Sequence, residues 1–298
     1  MVEDELTPLD PTPYLPLIRA ALEEDHAHAD LTAQGLVPED RMGTADVIAK
    51  AEGVVAGMPL VEPIFQTLDA RCRVETEFED GDLISQKHIL FTVHGPARAI
   101  LAGERIALNF LARLCGVATI TRDYVEGTMA TGARIHDTRK TTPGWRDLEK
   151  HAVRCGGGFN HRLHLEDAAM IKENHLKAAF GKTGPEAIRA GVTQLRASLP
   201  EGKRLYCEVE SHEEMLAAAE AGADVMMLDD FELGDIRRAV KAIRAMPPPH
   251  PLIEITGGVT LGTLEAYAAA GAQRISVGAL THSAKALDLS MQMRTTQE

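Results

Sequence analysis

Residues 204–230 read RLYCEVESHEEMLAAAEAGADVMMLDD and contain a complete strand–helix–strand unit. The apolar segments RLYCEVE and DVMMLDD have the length and composition of buried strands. The segment between them begins with Ser211 and Glu214 in the spacing of a capping box and stops at Gly222, a residue type that favours helix ends. This order of elements predicts two neighbouring parallel strands joined by a helix.

The same alternation of strand and helix continues on both sides of this unit. Further short strands are predicted in ARIHDT, AAMIK, LIEITGG and RISVG, and the joint EAGADVMML is repeated in AAGAQRISV. Six such strands in about 150 residues would form a small or truncated barrel, or an open doubly wound sheet. In either architecture, functional side chains belong at the carboxyl ends of the strands.

The first part of the chain has a different pattern. RCRVETEFEDGD and ISQKHILFTVHG flank the turn at Asp80–Gly81–Asp82 and predict an antiparallel sheet with helices on one side. From Pro96 the apolar period becomes helical, with Leu108, Leu111 and Leu114 on one stripe. We interpret this long helix as a link between two domains.

Composition limits the classes of protein to consider. The chain has 298 residues, 45% apolar content, 25% charged residues and a formal net charge of −13. This acidic balance argues against non-specific binding to nucleic acid or anionic lipid. The acidic N-terminus has no apolar core of a signal peptide, and no apolar run reaches about 18 residues. We therefore expect a cytoplasmic protein without membrane spans, whose four widely spaced cysteines are reduced.

The strand ends collect residues that can carry chemistry. Glu208 and Asp229 each end an apolar strand, so their carboxylates can hold Mg²⁺ through water or stabilise a developing cation. For Asp229 the alternative is an ordinary helix-capping acid, and for Glu210 a place beside the Ser211 cap is preferred. The basic residues suited to binding carboxylate or phosphate are Arg139, Lys140, His161, Arg162 and Lys172, with Arg105 and Arg113 on the long helix.

Two glycine-containing joints complete the predicted site. TGGVTLGT and SVGALTHS run from a strand towards a helix, where bare backbone N–H groups favour phosphate. The candidate phosphate-binding residues are Thr256, Gly257, Gly258, Gly278 and Ala279. The alternative is that these glycines serve only as turn residues. Arg146, Lys150 and Arg154 stand at i, i+4 and i+8, and we interpret them as a solvated helix face.

Several of these segments together resemble one known family. HDTRKTTPGWRDLEKHAVRCGGGFNHR, MIKENH, CEVES, AGADVMMLDDF, EITGGVT and ISVGALTHSA are similar to quinolinate phosphoribosyltransferases, and the similarity runs from about Asp25 to Ala286. The resemblance implies a fold of the α/β class, with an N-terminal α/β sandwich over residues 1–116 and an incomplete (β/α) barrel over residues 117–279. The tail 280–298 is then expected to pack back on the first domain.

The resemblance also implies an activity and roles for individual residues. The enzyme would transfer the phosphoribosyl group of phosphoribosyl pyrophosphate to quinolinate in NAD biosynthesis, with Mg²⁺ as cofactor, as a homodimer whose sites are shared between subunits. Lys140 would bind the pyrophosphate side, Glu208 and Asp229 the ribose hydroxyls and Mg²⁺, and Gly257, Gly258, Gly278 and Ala279 the 5′-phosphate. The residues implied for quinolinate are Arg105 of the partner subunit, Arg139, His161, Arg162 and Lys172.

The chain departs from the pattern of the resembled family at a few positions. Cys115 stands where Ser is frequent, Asp230 where Asn is usual, Glu173 where Asp is common, and His136 replaces an apolar residue. Two alternative functions remain open. One is a pyrophosphorylase-like paralogue with another acceptor, such as that associated with molybdate transport, and the other is a phosphoribosyl-binding module without catalysis.

Overall fold

The structure is a computed structural model that describes residues 6–294. The chain divides into two compact units. The first contains the residues up to Arg122, the segment Asp147–Gly157 and the residues from Ala284 onward, and the second contains Asp123–Arg146 and Gly158–Ser283. The segment Asp147–Gly157, assigned above to the second domain, thus lies in the first unit, and the division at residue 116 stays a prediction.

Among the described residues, the first unit contains six strands and all or most of five helices. Its strands are β1 (Met42–Ala49), β2 (Gly53–Val54), β3 (Arg73–Glu75), β4 (Leu83–Ile84), β5 (Ile89–Pro96) and β12 (Leu289–Met293). Its helices are α1 (Leu15–Glu24), α2 (Leu31–Leu36), α3 (Val61–Leu68), α4 (Ala97–Glu126) and α5 (Arg146–Cys155), with 3-10 turns at Thr12–Tyr14, Ala27–Ala29 and Met58–Leu60.

The larger sheet of the first unit is antiparallel, in the order β12-β1-β5-β3. Buried residues alternate along β1, and the Phe91 ring of β5 lies 6.3 Å from that of Phe65 on α3. Hence a helix covers this sheet, as predicted. The expected strands β3 and β5 do pair, with Val74 opposite Val93, but β4 lies between them in the chain and pairs with β2.

Helix α4 carries the predicted apolar stripe. Leu108, Leu111 and Leu114 are all buried. The C-terminal segment crosses this helix near Gly116, and the Leu287 backbone N–H donates to the carbonyl of Ala112 at 2.8 Å. This crossing precedes β12, which pairs with β1. Among the described residues no helix combines the length and apolar character that crossing a membrane requires.

The second unit contains a six-stranded parallel sheet in the order β6-β11-β10-β9-β8-β7. This order follows the chain from β7 to β11 and leaves β6 and β7 at the two edges, as in a barrel that is not closed. The strands are β6 (Arg134–His136), β7 (Ala169–Ile171), β8 (Leu205–Val209), β9 (Val225–Asp229), β10 (Leu252–Thr256) and β11 (Arg274–Ser276). The helices are α6 (Glu173–Phe180), α7 (Pro185–Ser198), α8 (His212–Ala221), α9 (Leu233–Arg244), α10 (Leu261–Ala268) and α11 (Ala279–His282).

In the β8–α8–β9 segment, from which the fold was predicted, helix α8 begins and ends as expected. The Ser211 hydroxyl accepts a hydrogen bond from the Glu214 backbone N–H at 3.2 Å, and the Glu214 carboxylate accepts from the backbone N–H of Glu210. Gly222 terminates α8 with φ +96°, in the left-handed region that glycine tolerates. The run Val225–Leu228 is buried throughout, as expected for a parallel strand covered on both faces.

The interpretation of α5 as a solvated face is wrong. Lys150 is only 1% exposed, and Arg146 and Arg154 are partly buried. Six of the ten residues of α5 are buried, and at 3.6 residues per turn they cover more than half of the helix circumference. The spacing of three cations on the helix does not show which charged residues are buried. Glu149 of the same helix is also buried, and it pairs with Arg113 of α4 at 2.6 Å.

The crossing at Gly116 allows a test of this packing. A Cβ added at Gly116 would overlap the backbone carbonyl of Lys285, so Gly116→Ala must displace the segment before β12. We expect a loss of about 2–3 kcal/mol in the free energy of unfolding, measured by chemical denaturation. The control is Gly35→Ala in α2, where nothing lies within 4 Å. It should be neutral or slightly stabilising, and equal effects of the two changes would contradict the packing described.

Candidate active site

The parallel sheet brings most of the predicted site residues to one side, which is formed by the carboxyl ends of its strands. In register, Thr256 lies opposite Asp229 and Val209 opposite Leu228, so neighbouring strands end at the same level. A parallel bridge between His136 and Phe159 places the segment after Phe159 beyond the end of β6 as well. The predicted residues that follow or end these strands are Arg139, Lys140, His161, Arg162, Lys172, Glu208, Asp229, Thr256, Gly257, Gly258, Gly278 and Ala279.

Opposite charges meet at the ends of β7, β8 and β9. The ammonium of Lys172 forms an ion pair with the Glu208 carboxylate. Burial raises the pKa of Asp229, and the charges of Glu208 and Asp230 raise it further, whereas Lys172 and Lys140 lower it. These four neighbours therefore lie within electrostatic range of Asp229, where partial burial strengthens each interaction.

Two guanidinium groups lie near each other in the segments that follow β6 and Phe159. Burial lowers the pKa of Arg162, and the charge of Arg139 lowers it further. Arg162 is anchored by donating to the Ala168 carbonyl at 3.0 Å. The Nε of Arg139 is shielded from solvent and makes no hydrogen bond within residues 6–294. Adjacent cations with an unused donor are suited to binding an anion such as a carboxylate.

His161 is held from several sides. Its backbone N–H donates to the buried Asp137 carboxylate at 2.7 Å, and its Nδ1 accepts from the backbone N–H of Arg162 at 2.7 Å. Because Nδ1 is an acceptor, the ring proton of neutral His161 resides on Nε2, which lies 3.4 Å from Glu254 Oε1. The ring also packs against Tyr206, with centroids 4.7 Å apart.

Below His161 lies a buried polar network that the sequence analysis missed. Glu254 is completely buried and accepts hydrogen bonds from Arg274 at 2.8 Å and from Ser276 at 2.6 Å. Burial raises the pKa of Glu254, but the contact with His161 and the charge of Arg274 outweigh this effect and lower the pKa to about 2. The available signal was the acid within LIEIT and the arginine of RISV, which are register partners on β10 and β11.

The network also accounts for His136, the unexplained departure on β6. Its Nδ1 accepts from Arg274 at 3.2 Å, since a guanidinium can only donate. Burial and the charge of Arg274 lower the pKa of His136 to about 3. His136 is thus a neutral acceptor that helps to hold Arg274 in place.

The glycines of the β10 joint have conformations that explain their residue type. Gly257 has φ +80° and Gly258 has φ +57°. A Cβ at Gly257 would overlap the carboxylate of Asp230, whose own φ is +53°. This joint therefore requires glycine where the ends of β9 and β10 approach each other.

The β11 joint is packed against Lys140. A Cβ at Gly278 would lie 3.2 Å from Cδ of Lys140, so the lysine stem crosses the bare glycine. The Thr281 hydroxyl donates to the Lys140 carbonyl at 2.8 Å and fixes the backbone there. Arg105 and Arg113 lie elsewhere: both are on α4 in the first unit, where Arg105 is exposed and Arg113 pairs with Glu149.

Known protein families match both parts of the chain. Residues 30–115 match the N-terminal domain of quinolinate phosphoribosyl transferase, and residues 117–292 match its C-terminal domain. The chain belongs to the quinolinate phosphoribosyltransferase family. This membership confirms the resemblance, the fold class and the phosphoribosyltransferase activity that the sequence predicted.

Individual relatives agree with this assignment over nearly the whole chain. A probable nicotinate-nucleotide pyrophosphorylase [carboxylating] of Bacillus subtilis is 39% identical over 275 residues, which cover 92% of this chain and 91% of the relative. The nicotinate-nucleotide pyrophosphorylase [carboxylating] of Mycobacterium leprae is 38% identical over a region that covers 93% of this chain and 95% of the relative. The solved nicotinate-nucleotide pyrophosphorylase of Francisella tularensis is 36% identical and superposes with a TM-score of 0.87, over 98% of this chain and all of that one.

The low pKa of His136 predicts acid sensitivity. Because the folded-state pKa of about 3 lies below the ordinary 6.5, the stabilisation is complete above pH 6.5 and declines as the pH falls towards 3. Between pH 6.5 and 5 this histidine should account for a loss of about 2 kcal/mol in unfolding free energy. His136→Asn keeps an acceptor without this titration and should flatten the decline in denaturation curves. Parallel declines in both proteins would refute the assignment.

Proposed function

We propose that this quinolinate phosphoribosyltransferase carries out its reaction at the carboxyl edge of the parallel sheet. There it transfers the phosphoribosyl group of phosphoribosyl pyrophosphate to quinolinate, and releases pyrophosphate and CO₂ to give nicotinate mononucleotide. The observation that carries the proposal is that Arg139, Lys140, Arg162 and Lys172 follow strands of the parallel sheet at the end where Glu208 and Asp229 lie. Both substrates are polyanions, and in a partly desolvated site such cations attract them strongly.

The cations divide into two groups with different roles. Arg139, Arg162 and Lys172 would bind the two carboxylates of quinolinate, because a guanidinium matches a carboxylate with two parallel donors. Lys140, whose stem crosses Gly278, would bind the pyrophosphate side of the donor. The backbone at Thr256, Gly257, Gly258, Gly278 and Ala279 would bind the 5′-phosphate.

His161 receives a different role from the one the sequence predicted. It is only 6% exposed, and both ring nitrogens face protein groups. We therefore assign it to positioning Arg162, whose backbone N–H it accepts, rather than to direct contact with quinolinate.

The chemical step requires positioning and fixed charge rather than a protein nucleophile. The pyridine nitrogen attacks ribose C1 as the bond from C1 to pyrophosphate breaks, through a transition state with oxocarbenium character. The carboxylates of Glu208 and Asp229 stabilise the positive charge that develops on the ribose. Lys140 stabilises the negative charge of the departing pyrophosphate.

Decarboxylation follows from the charge on the new nucleotide. The bond to the carboxylate next to the ring nitrogen breaks, its electron pair stays on the ring carbon beside that cationic nitrogen, and this carbon then takes up a proton. The positive nitrogen stabilises the carbanion, so no general base is needed.

The carboxylates also fit the Mg²⁺ ion expected for this family. Asp229 experiences the negative charge of both Glu208 and Asp230, and a hard cation with oxygen ligands relieves such repulsion. Glu208 and Asp229 would hold the ion, which supplies neutralisation of the pyrophosphate charge. A homodimer with a shared site and a cytoplasmic location stay predictions.

Lys140→Met tests the assignment of the pyrophosphate-binding cation. We expect kcat/KM to fall at least about 100-fold, because a charge that stabilises the leaving group is lost. The assay incubates the protein with quinolinate, phosphoribosyl pyrophosphate and Mg²⁺, and follows nicotinate mononucleotide, CO₂ and pyrophosphate together. Lys241→Met, on the exposed side of α9, is the control and should be unchanged. Similar losses in both variants would defeat the assignment.

Mixed subunits test the role of Arg105 in a shared site. Arg105→Ala and Lys140→Met should each be inactive alone, while an equal mixture should regain about a quarter of wild-type activity, since half of randomly exchanged dimers have one intact site. The measurement is turnover after co-refolding. An inactive mixture, with heterodimers verified by differential tags, would show that Arg105 does not act across the dimer.

A further inference from the structure

A second group of potential metal ligands lies in the first unit, among residues that the proposed reaction does not use. Asp80 lies in the turn before β4, and His151 and Cys155 lie on α5. One ligand atom from each of the three lies within 4.8 Å of the other two. We propose that Asp80, His151 and Cys155 form a binding site for a divalent transition-metal ion of the zinc class.

The helix presents two of the ligands together. His151 and Cys155 are four residues apart, so their side chains lie on the same face of α5, one turn from each other. The same spacing brings two ligands to one metal in helical zinc motifs. His151 Nε2 lies 2.7 Å from Asp80 Oδ2, which shows that the third ligand already reaches this face.

The turn that carries Asp80 is held rigidly. The Met58 backbone N–H donates to Asp80 Oδ1 at 2.9 Å, which orients the carboxylate and leaves Oδ2 towards the histidine. The next residue, Gly81, donates its backbone N–H to the Val55 carbonyl at 2.9 Å. A carboxylate oriented by a backbone hydrogen bond resembles the supported ligands of known metal sites.

The donor types select the class of ion. A thiolate, an imidazole and one carboxylate oxygen match the preferences of Zn²⁺ and Co²⁺, whereas Mg²⁺ prefers oxygen ligands alone. The ligands are largely sheltered, with exposed side-chain fractions of 11% for His151 and 8% for Asp80. Asp80 also lines a cavity of about 670 Å³.

Cys115 on α4 is a further buried cysteine of the first unit and lies outside the group of three ligand atoms. Its Sγ accepts a hydrogen bond from the backbone N–H of Ala56 at 3.4 Å. A Zn²⁺ ion needs four ligands in a closed site and three plus water in an open one. With three protein ligands, the site proposed here is of the open kind, in which water takes the fourth position.

The test measures metal binding by the full-length protein after removal of metals with a chelator. Zn²⁺ alone is added, excess is removed by desalting, and bound zinc is counted per chain. We expect one Zn²⁺ per chain, and at least a ten-fold weaker affinity for Cys155→Ser and for His151→Gln. The matched controls Cys72→Ser and His28→Gln, which alter a buried thiol and an exposed imidazole elsewhere in the same unit, should bind as the wild type does.

A spectroscopic arm identifies the thiol even if one variant folds poorly. Co²⁺ alone should give a thiolate charge-transfer band in the near ultraviolet that Cys155→Ser removes. Glu208→Gln and Asp229→Asn should keep both the band and the zinc, since they belong to the other unit. The proposal is overturned if the wild type retains no zinc, if Cys155→Ser and His151→Gln bind it unchanged, or if only Cys115→Ser removes the band.

Discussion

A carboxylate without any exposure to solvent lies in the middle of the parallel sheet, and the arrangement of the site depends on how its charge is compensated. The Glu254 carboxylate accepts hydrogen bonds from Arg274 and Ser276 on the neighbouring strand, and it faces the ring of His161. An ionised carboxylate at such a position would be very unfavourable without these partners. The network therefore ties β10 and β11 to the segment after β6, and through His161 it orients the backbone of Arg162.

At the strand ends, one charge pair would exchange partners during the proposed reaction. Lys172 and Glu208 are paired in the protein alone, and both are assigned to ligands in the proposed reaction. Binding of quinolinate would give Lys172 a new carboxylate, and Mg²⁺ with the ribose would occupy Glu208. In that proposal the pair would compensate each charge until the substrates bind, and it would add little to stability because it is partly exposed.

The sequence was sufficient to predict the parallel unit because its signals are local. Capping at Ser211, the terminating Gly222 and apolar runs of strand length determine α8, β8 and β9 without knowledge of the rest of the fold. The strand ends could be predicted for the same reason, since neighbouring parallel strands finish at one edge. The clustering of Lys140, Lys172 and Asp229 follows from that rule.

What the sequence could not reveal depends on which neighbour covers each side chain. Lys150 follows a pattern of solvated cations, yet α5 is buried over most of its circumference. Glu254 and Arg274 become partners only when the register of β10 and β11 is known. Likewise, His161 has the residue type of a carboxylate ligand, and only its contacts reveal that its ring is directed into the protein.

Asp230, which follows β9, contacts the loop that follows β10. At this position the backbone geometry and the side-chain charge have separate effects. Asp230 adopts φ +53°, donates its backbone N–H to the Thr256 carbonyl at 3.1 Å, and places its carboxylate against Gly257. Asn has the same size and tolerates the same left-handed backbone, so the amide usual in the resembled pattern would fit equally well. The carboxylate adds a negative charge beside a backbone proposed to bind phosphate, and it also raises the pKa of Asp229. The backbone of this loop is therefore compatible with either residue, and the consequences for the site are the added negative charge and the loss of the amide hydrogen-bond donors.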